Sequence, residues 1–127
     1  METNGPFTLI EDRGVTNVVF GPDTRQIIET NVVDVNTRLL EIVDQLPAPR
    51  LVLDMTKTDF FGSSFVEVLF RIWKKVSGKP ETQLALVGLQ KYCREVIVAT
   101  RLDTFWQIYD TRQTACDAFN SATKSGK

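Results

Sequence analysis

The chain has 127 residues, a length that suits one domain with one hydrophobic core. Its hydrophobic fraction of 43% and charged fraction of 24% are ordinary for a globular protein, and a net charge of −1 gives no positive field for nucleic acid. The absence of histidine removes the commonest general base and the commonest metal ligand.

No run of about 20 apolar residues occurs, and the N-terminus lacks a basic region followed by an apolar one. We therefore expect no membrane span, no secretion signal and a cytoplasmic location. Cys93 and Cys116 are isolated and lie in helical patterns, so we expect both thiols to be reduced.

The first half of the chain predicts an antiparallel hairpin and then a helix. Residues 7–10 and 15–20 read as strands, with a turn signal at Asp12-Arg13-Gly14 between them. Residues 26–28 form either a short strand or an extended lead-in. A helix capped by Thr30 or Asn31 then runs to about residue 45, with its apolar positions on one half.

The second half alternates between strands and helices. The predicted segments are a strand at 50–55, a helix at 63–76, a strand at 82–87, a helix at 90–100, a strand at 105–109, and a last helix capped by Asp110 or Thr111. This order predicts an α/β fold with a mixed sheet of four to five strands, mostly parallel, with an antiparallel N-terminal edge and about four helices. We expect a flexible N-terminus at 1–5, a single domain at 6–120 and a flexible tail at 121–127.

The helix at 63–76 has an apolar arc of about 200°, wider than the roughly 100° stripe of a surface helix. Phe65, Leu69 and Ile72 belong to an ordinary core stripe, while Val66 and Phe70 extend it sideways. Either a second helix packs on that flank, which is the commoner arrangement, or the flank binds a partner.

Two serines, Ser63 and Ser64, fall where the loop after the central strand turns into this helix. The exposed N–H groups of a helix N-terminus favour a hydroxyl cap, and they also favour a phosphate. From composition we expect one serine to serve only as the cap.

The segment 51–65, Leu-Val-Leu-Asp-Met-Thr-Lys-Thr-Asp-Phe-Phe-Gly-Ser-Ser-Phe, resembles the signature of STAS domains, the bacterial anti-sigma factor antagonists. That signature is an apolar strand, a turn, an acidic-apolar pair and then Asp-Ser-Ser-Gly opening a helix. Residues 96–109 resemble the family's helix that ends in a Gly-Leu-Asp-like segment before a last short strand, with Arg101 in the usual glycine position. Glu29 occupies the place of an acidic residue before the first helix. The resemblance covers roughly residues 7–120.

The resemblance implies a STAS-like fold, no enzymatic activity, no cofactor, and phosphorylation of the motif's second serine, which falls on Ser64. The surroundings of this phosphosite would be Gly62, Ser63, Glu29 and Asp59. Around the phosphosite three residues depart from the family pattern, since Gly62 replaces Asp, Phe65 replaces Gly and Glu29 replaces Asp. The Phe65 ring is expected beside the serine.

The resemblance also implies a regulatory module that binds an anti-sigma factor or serine protein kinase and is switched by phosphorylation of Ser64. The expected partner surface comprises Phe61, Phe65, Val66 and Phe70. An alternative that stays open is a docking or scaffold module without a serine switch, which uses Val66, Phe70 and Trp73 to bind a larger assembly or to form a homodimer.

An enzyme is the third interpretation, with Asp54, Asp59, Glu29 and Ser64 as a polar cluster near the strand ends. The sequence does not favour it, because no histidine, no glycine-rich phosphate loop and no nucleophile–base pair is visible. Asp54 at a strand end is also typical of receiver-domain phosphoacceptors. A receiver has an earlier strand with paired acidic residues, and the strand at 15–20 has none.

Overall fold

The computed structural model describes the backbone of residues 2–125 and the side chains of residues 5–121. Within that part of the chain the strands are β1 (Glu2–Asn4), β2 (Phe7–Asp12), β3 (Val15–Phe20), β4 (Gln26–Ile27), β5 (Arg50–Asp54), β6 (Phe60–Phe61), β7 (Gln83–Val87) and β8 (Gln107–Tyr109). The helices are α1 (Val32–Asp44), α2 (Ser63–Val76), α3 (Lys91–Ala99) and α4 (Arg112–Ser125), with 3-10 turns at Pro22–Thr24 and Leu102–Thr104.

Six strands form one mixed sheet in the order β1-β2-β3-β5-β7-β8. The pairs β1–β2 and β2–β3 are antiparallel, while β3–β5, β5–β7 and β7–β8 are parallel. The predicted α/β class, the mostly parallel sheet and the antiparallel N-terminal edge are confirmed. The sheet has one strand more than the predicted four to five, because the short β1 joins its edge.

The larger hydrophobic core fills the space between the sheet and α1, α2 and α3. Alternation along the central strands divides their side chains between the two faces: Leu51 and Leu53 enter this core, whereas Val52 faces the other side. There α4 covers a smaller core with Ala115, Cys116 and Phe119. The sheet is therefore buried on both faces at its centre, which accounts for the apolar run in β5.

Local hydrogen bonds hold the residues that precede two of the helices. Asn31 precedes α1; its side chain accepts from the Ile28 N–H at 2.8 Å and donates to the Gln26 carbonyl at 2.8 Å. Thr111 precedes α4, and its Oγ1 accepts from the Thr114 N–H at 3.1 Å, as a helix cap does. The expected starts of both helices are confirmed.

Both ends of the chain contain more regular structure than expected. Glu2–Asn4 pairs with β2 within the segment 1–5 that we expected to be flexible, and α4 continues to Ser125 within the expected tail 121–127. Residues 1, 126 and 127 lie outside the described residues. The division of the chain into one domain with flexible ends stays a prediction.

The last strand is shorter than predicted. The segment 105–109 was expected to be extended, but β8 begins at Gln107, after the 3-10 turn. Trp106 is fully buried, and its indole Nε1 donates to the Leu69 carbonyl at 3.1 Å. The 3-10 turn places this ring against α2, and the strand therefore begins later, at Gln107.

Among residues 2–125, no helix has the length and apolar character needed to cross a membrane.

Candidate functional site

The start of α2 brings the two serines to the surface of the protein. Gly62 is the N-cap residue, with extended backbone (φ −88°, ψ 179°), and Ser63 and Ser64 are the first two helical residues. Neither hydroxyl caps the helix. The expectation that one serine serves as the cap was wrong, because the glycine occupies the capping position and leaves both serines inside the first turn.

The two serines differ in exposure. The Ser63 side chain is exposed and the Ser64 side chain is half-buried. No hydrogen bond to either hydroxyl occurs within the described part of the chain. Ser63 is thus the hydroxyl more accessible to a modifying enzyme, although the family resemblance selects Ser64.

Ser64 lines an open depression beside the helix start, with a volume of about 390 Å³. The lining residues are Ile28, Glu29, Thr30, Gly62, Ser63 and Ser64. Glu29 thus lines the same depression as the two serines. The depression therefore places one carboxylate at a helix start, where first-turn N–H groups lack the usual intrahelical partners.

A two-stranded parallel sheet, β4 with β6, holds the two walls of the depression together. Gly62 N–H donates to the Ile27 carbonyl at 3.0 Å, and Asp59 N–H donates to the Arg25 carbonyl at 2.7 Å. The side chains of Arg25 and Asp59 form an ion pair of 2.7 Å. Asp59 is thus bonded to Arg25 through both its backbone and its side chain, and it does not line the depression.

Phe61 and Phe65 are core residues, so their expected place on a partner surface was wrong. Their exposed fractions are 1% and 0%, and their ring centroids lie 5.1 Å apart. The Phe65 ring also meets Phe20 edge-on at 6.1 Å. The ring that replaces the family glycine therefore points into the core and leaves the serines uncovered.

Val66 and Phe70 lie on a different flank of α2 from Ser64. Phe70 is 46% exposed and stacks on Trp73 with ring centroids 5.7 Å apart, and Phe105 closes against both rings at 5.7 and 4.1 Å. Val66 and Trp73 are half-buried against the core. At 100° per residue, Ser64 and Phe70 point about 120° apart, so the structure separates the serine depression from the aromatic flank.

A second exposed aromatic pair was not predicted. Phe60 and Tyr92 are 36% and 48% exposed and stack with centroids 5.4 Å apart. The strand β6 has only two residues, so its alternation sends Phe61 inward and Phe60 outward. The Phe60-Phe61 pair was the available signal, but a strand this short gives no periodicity to interpret.

The polar cluster considered for an enzyme is not assembled. Asp54 lies in a groove on the α4 side of the sheet, where it pairs with Arg112 at 3.0 Å, and Glu29 and Ser64 share the separate depression described above. In the part of the chain that the structure describes, no group of three His, Cys, Asp or Glu side chains is arranged to hold a metal ion.

Both thiols are buried and free of disulfides. Desolvation, with a smaller contribution from the charge of Asp59, raises the pKa of Cys93 to about 11. Burial likewise raises the pKa of Cys116. Neither thiol is therefore activated as a nucleophile at neutral pH.

Comparison with known proteins identifies a protein family and several similar structures. The STAS domain profile matches residues 11–115. A STAS domain protein from Planctomyces limnophilus, described as an anti-sigma-factor antagonist, has 29% identity and a TM-score of 0.82, over 89% of this chain and 96% of its own. An anti-sigma factor antagonist from Mycobacterium paratuberculosis has 25% identity and a TM-score of 0.75, over 90% of this chain and 92% of its own.

The unphosphorylated form of the anti-sigma factor antagonist SpoIIAA shares the fold at 17% identity, with a TM-score of 0.59 over 90% of this chain and 97% of its own. No curated protein sequence gives a significant match. The family profile spans the sheet from the end of β2 to the first turn of α4, including the Gly62-Ser63-Ser64 helix start and all three helices on that face. The chain therefore belongs to the STAS domain family.

Proposed function

We propose that this protein is an anti-sigma factor antagonist, which binds an anti-sigma factor and thereby releases the sigma factor. The observation that carries the proposal is the open helix start at Gly62-Ser63-Ser64 on a STAS fold. Two structural relatives at 25% identity or more are described as anti-sigma factor antagonists, which supports the same role.

Phosphorylation of a serine at this helix start is the proposed switch. The proposed partner is an anti-sigma factor or a serine protein kinase. A phosphate adds about −1.5 to −2 charges at pH 7. On the free domain the helix N-terminus stabilises that charge through its N–H groups. In a complex the same charge has to be desolvated, and water then screens its repulsion from Glu29 less, so binding is weakened without refolding of the domain.

The resemblance assigns the phosphate to Ser64, and the greater exposure of Ser63 makes it the competing acceptor. Affinity for the anti-sigma factor, measured by calorimetry, separates the two. We expect Ser64→Ala to bind like the wild type and Ser64→Asp to bind about tenfold more weakly or worse. The same pair of substitutions at Ser63 tests the alternative acceptor.

A matched control is Gln113→Asp, which places a carboxylate at the second position of α4, on the opposite face of the sheet. It should leave the affinity unchanged. Equal affinity for the wild type and both serine-to-aspartate variants would rule out the switch. Failure of the unmodified protein to bind any anti-sigma factor of its own organism would rule out the antagonist role.

The second candidate function is a docking or scaffold module without a serine switch. The specific observation in its favour is the aromatic flank of α2, where Phe70 keeps 46% of its surface exposed although Trp73 and Phe105 pack against it. Exposed aromatic side chains with a rigid backing are common anchors of protein interfaces.

A further inference from the structure

The outermost ridge of α2 carries an exposed phenylalanine between two opposite charges. Glu67, Phe70 and Lys74 all lie on the solvent side of the helix, and we call these three residues the α2 ridge. Glu67 and Lys74 are separated by two turns and point within about 20° of each other. Phe70 lies between them along the axis and points about 40° to 60° to one side. Trp73 and Phe105 support the Phe70 ring from the side.

Neither charge of the ridge is used within the described residues. The neighbouring cations are directed toward α1: Lys75 pairs with Asp44 at 2.9 Å, and Arg71 donates to the neutral amide of Asn36, at Oδ1, at 3.1 Å. No ion pair or hydrogen bond of the Glu67 or Lys74 side chain occurs among residues 5–121. The two cannot pair with each other, because two turns separate them by about 10 Å along the axis.

A twofold axis through the middle of the ridge makes these charges complementary to a second copy of the same surface. When two α2 helices meet antiparallel, Glu67 of each copy faces Lys74 of the other, and the two Phe70 rings meet near the axis. A parallel arrangement would place like charges opposite each other, which is destabilising. The ridge thus favours one register, as an isologous interface requires.

We propose that the α2 ridge is a homodimer interface in which two copies pack α2 against α2 in antiparallel orientation, with two reciprocal Glu67–Lys74 ion pairs around a central Phe70 contact. This inference rests on the docking role given above as the second candidate function, and it names the partner as the chain itself. It does not depend on serine phosphorylation.

The single charge reversals test the register, and complementation tests the ion pairs. Sedimentation velocity of the full chain over a concentration series should show a monomer–dimer equilibrium. Glu67→Lys and Lys74→Glu should each weaken self-association about tenfold or more, because the symmetry repeats each lost pair. An equimolar mixture of the two variants should form a heterodimer. In it the lysine introduced by the first substitution faces the glutamate introduced by the second, and the native Lys74 of the first variant faces the native Glu67 of the second.

Two control sets keep the result interpretable. Glu41→Lys on α1 and Lys91→Glu on α3 reverse exposed charges outside the ridge and should leave dimerisation unchanged. Phe70→Ser should abolish the dimer, whereas Val98→Ser, at a side chain of similar exposure on α3, should not. Recovery of association in the mixture also shows that both charge variants are folded.

A wild-type chain that stays monomeric at every concentration overturns the proposal, and so does a dimer that neither charge reversal weakens. A mixture that associates no better than its components overturns the reciprocal Glu67–Lys74 ion pairs. Titration of the wild type with the anti-sigma factor separates the two functions: partner binding without a dimer refutes only the ridge, and a dimer without partner binding refutes only the antagonist role.

Discussion

Asp54 and Arg112 form an ion pair of 3.0 Å that joins the end of β5 to the first residue of α4. The Asp54 side chain is 12% exposed, and its Oδ1 also accepts from the Thr56 N–H at 3.1 Å and from the Thr56 hydroxyl at 2.6 Å. A cation at a helix N-terminus is unfavourable, and the carboxylate offsets it. Asp54 is therefore a structural residue that attaches α4 to the sheet.

Substitution of Asp54 by alanine should lower the free energy of unfolding by about 1–3 kcal/mol, because it leaves Arg112 unpaired and removes the acceptor for Thr56. Urea denaturation measures the change. Asp110→Ala, at an exposed carboxylate in the adjacent loop, should change stability by no more than about 0.5 kcal/mol. An Asp54→Ala variant as stable as the wild type would contradict the structural role.

Phe65→Ala should cost about 3–5 kcal/mol, because it removes a fully buried ring that packs on Phe20 and Phe61. Phe70→Ala on the same helix should cost about 1 kcal/mol, since that ring is half-exposed and loses mainly its aromatic contacts. Thermal and urea unfolding of both variants give the comparison. Similar losses at the two positions would contradict the assignment of Phe65 to the core.

Gly62→Asp should stabilise the protein by about 0.5–1 kcal/mol. The extended backbone at this position suits any residue, and an added Cβ would meet no atom within 4 Å. The new carboxylate can accept from first-turn N–H groups and lies at the positive end of the helix dipole. The matched control is Gly88→Ala, where φ is +70° and a Cβ would collide with Thr56, so that variant should be destabilised.

The Cys93 thiol should make stability fall at alkaline pH. Its pKa rises from 9.0 to about 11 on folding, so the unfolded chain releases this proton first. The stability that the buried neutral thiol contributes is complete below pH 9 and is lost as pH rises from 9 through 11. Unfolding free energies of wild type and Cys93→Ala should therefore converge over that range, and a difference independent of pH would refute the shift.

The periodic elements were predictable because local pattern and tertiary packing agree in them. The bounds of α2 match the predicted 63–76, since Gly62 precedes it and the Ser77-Gly78 pair ends it. The same periodicity put Phe65 in one stripe with Leu69 and Ile72, and that stripe is buried. The motif resemblance suggested a surface role for Phe65, and the helical period was the better guide.

Other features were not predictable because they depend on distant parts of the chain. β1 consists of Glu-Thr-Asn, whose composition does not favour a strand, and it is held by backbone pairing with β2. The strand β8 is short because the preceding residue, Trp106, packs against α2 and donates a hydrogen bond to it. In the candidate site, the nearness of Glu29 to the serines could be expected from the resemblance, whereas the separation of Ser64 from the aromatic flank required the helix in its fold.

The small β4–β6 sheet has a consequence for how the serine region can move. Its backbone hydrogen bonds link the segment before α1 to the segment before α2, so Glu29 and Gly62 both follow strands of the same small sheet. A displacement of either segment therefore has to break these backbone bonds or move the other segment with it. The backbone thus connects the serine-bearing start of α2 to the segment before α1, and this connection does not require any side chain of the depression.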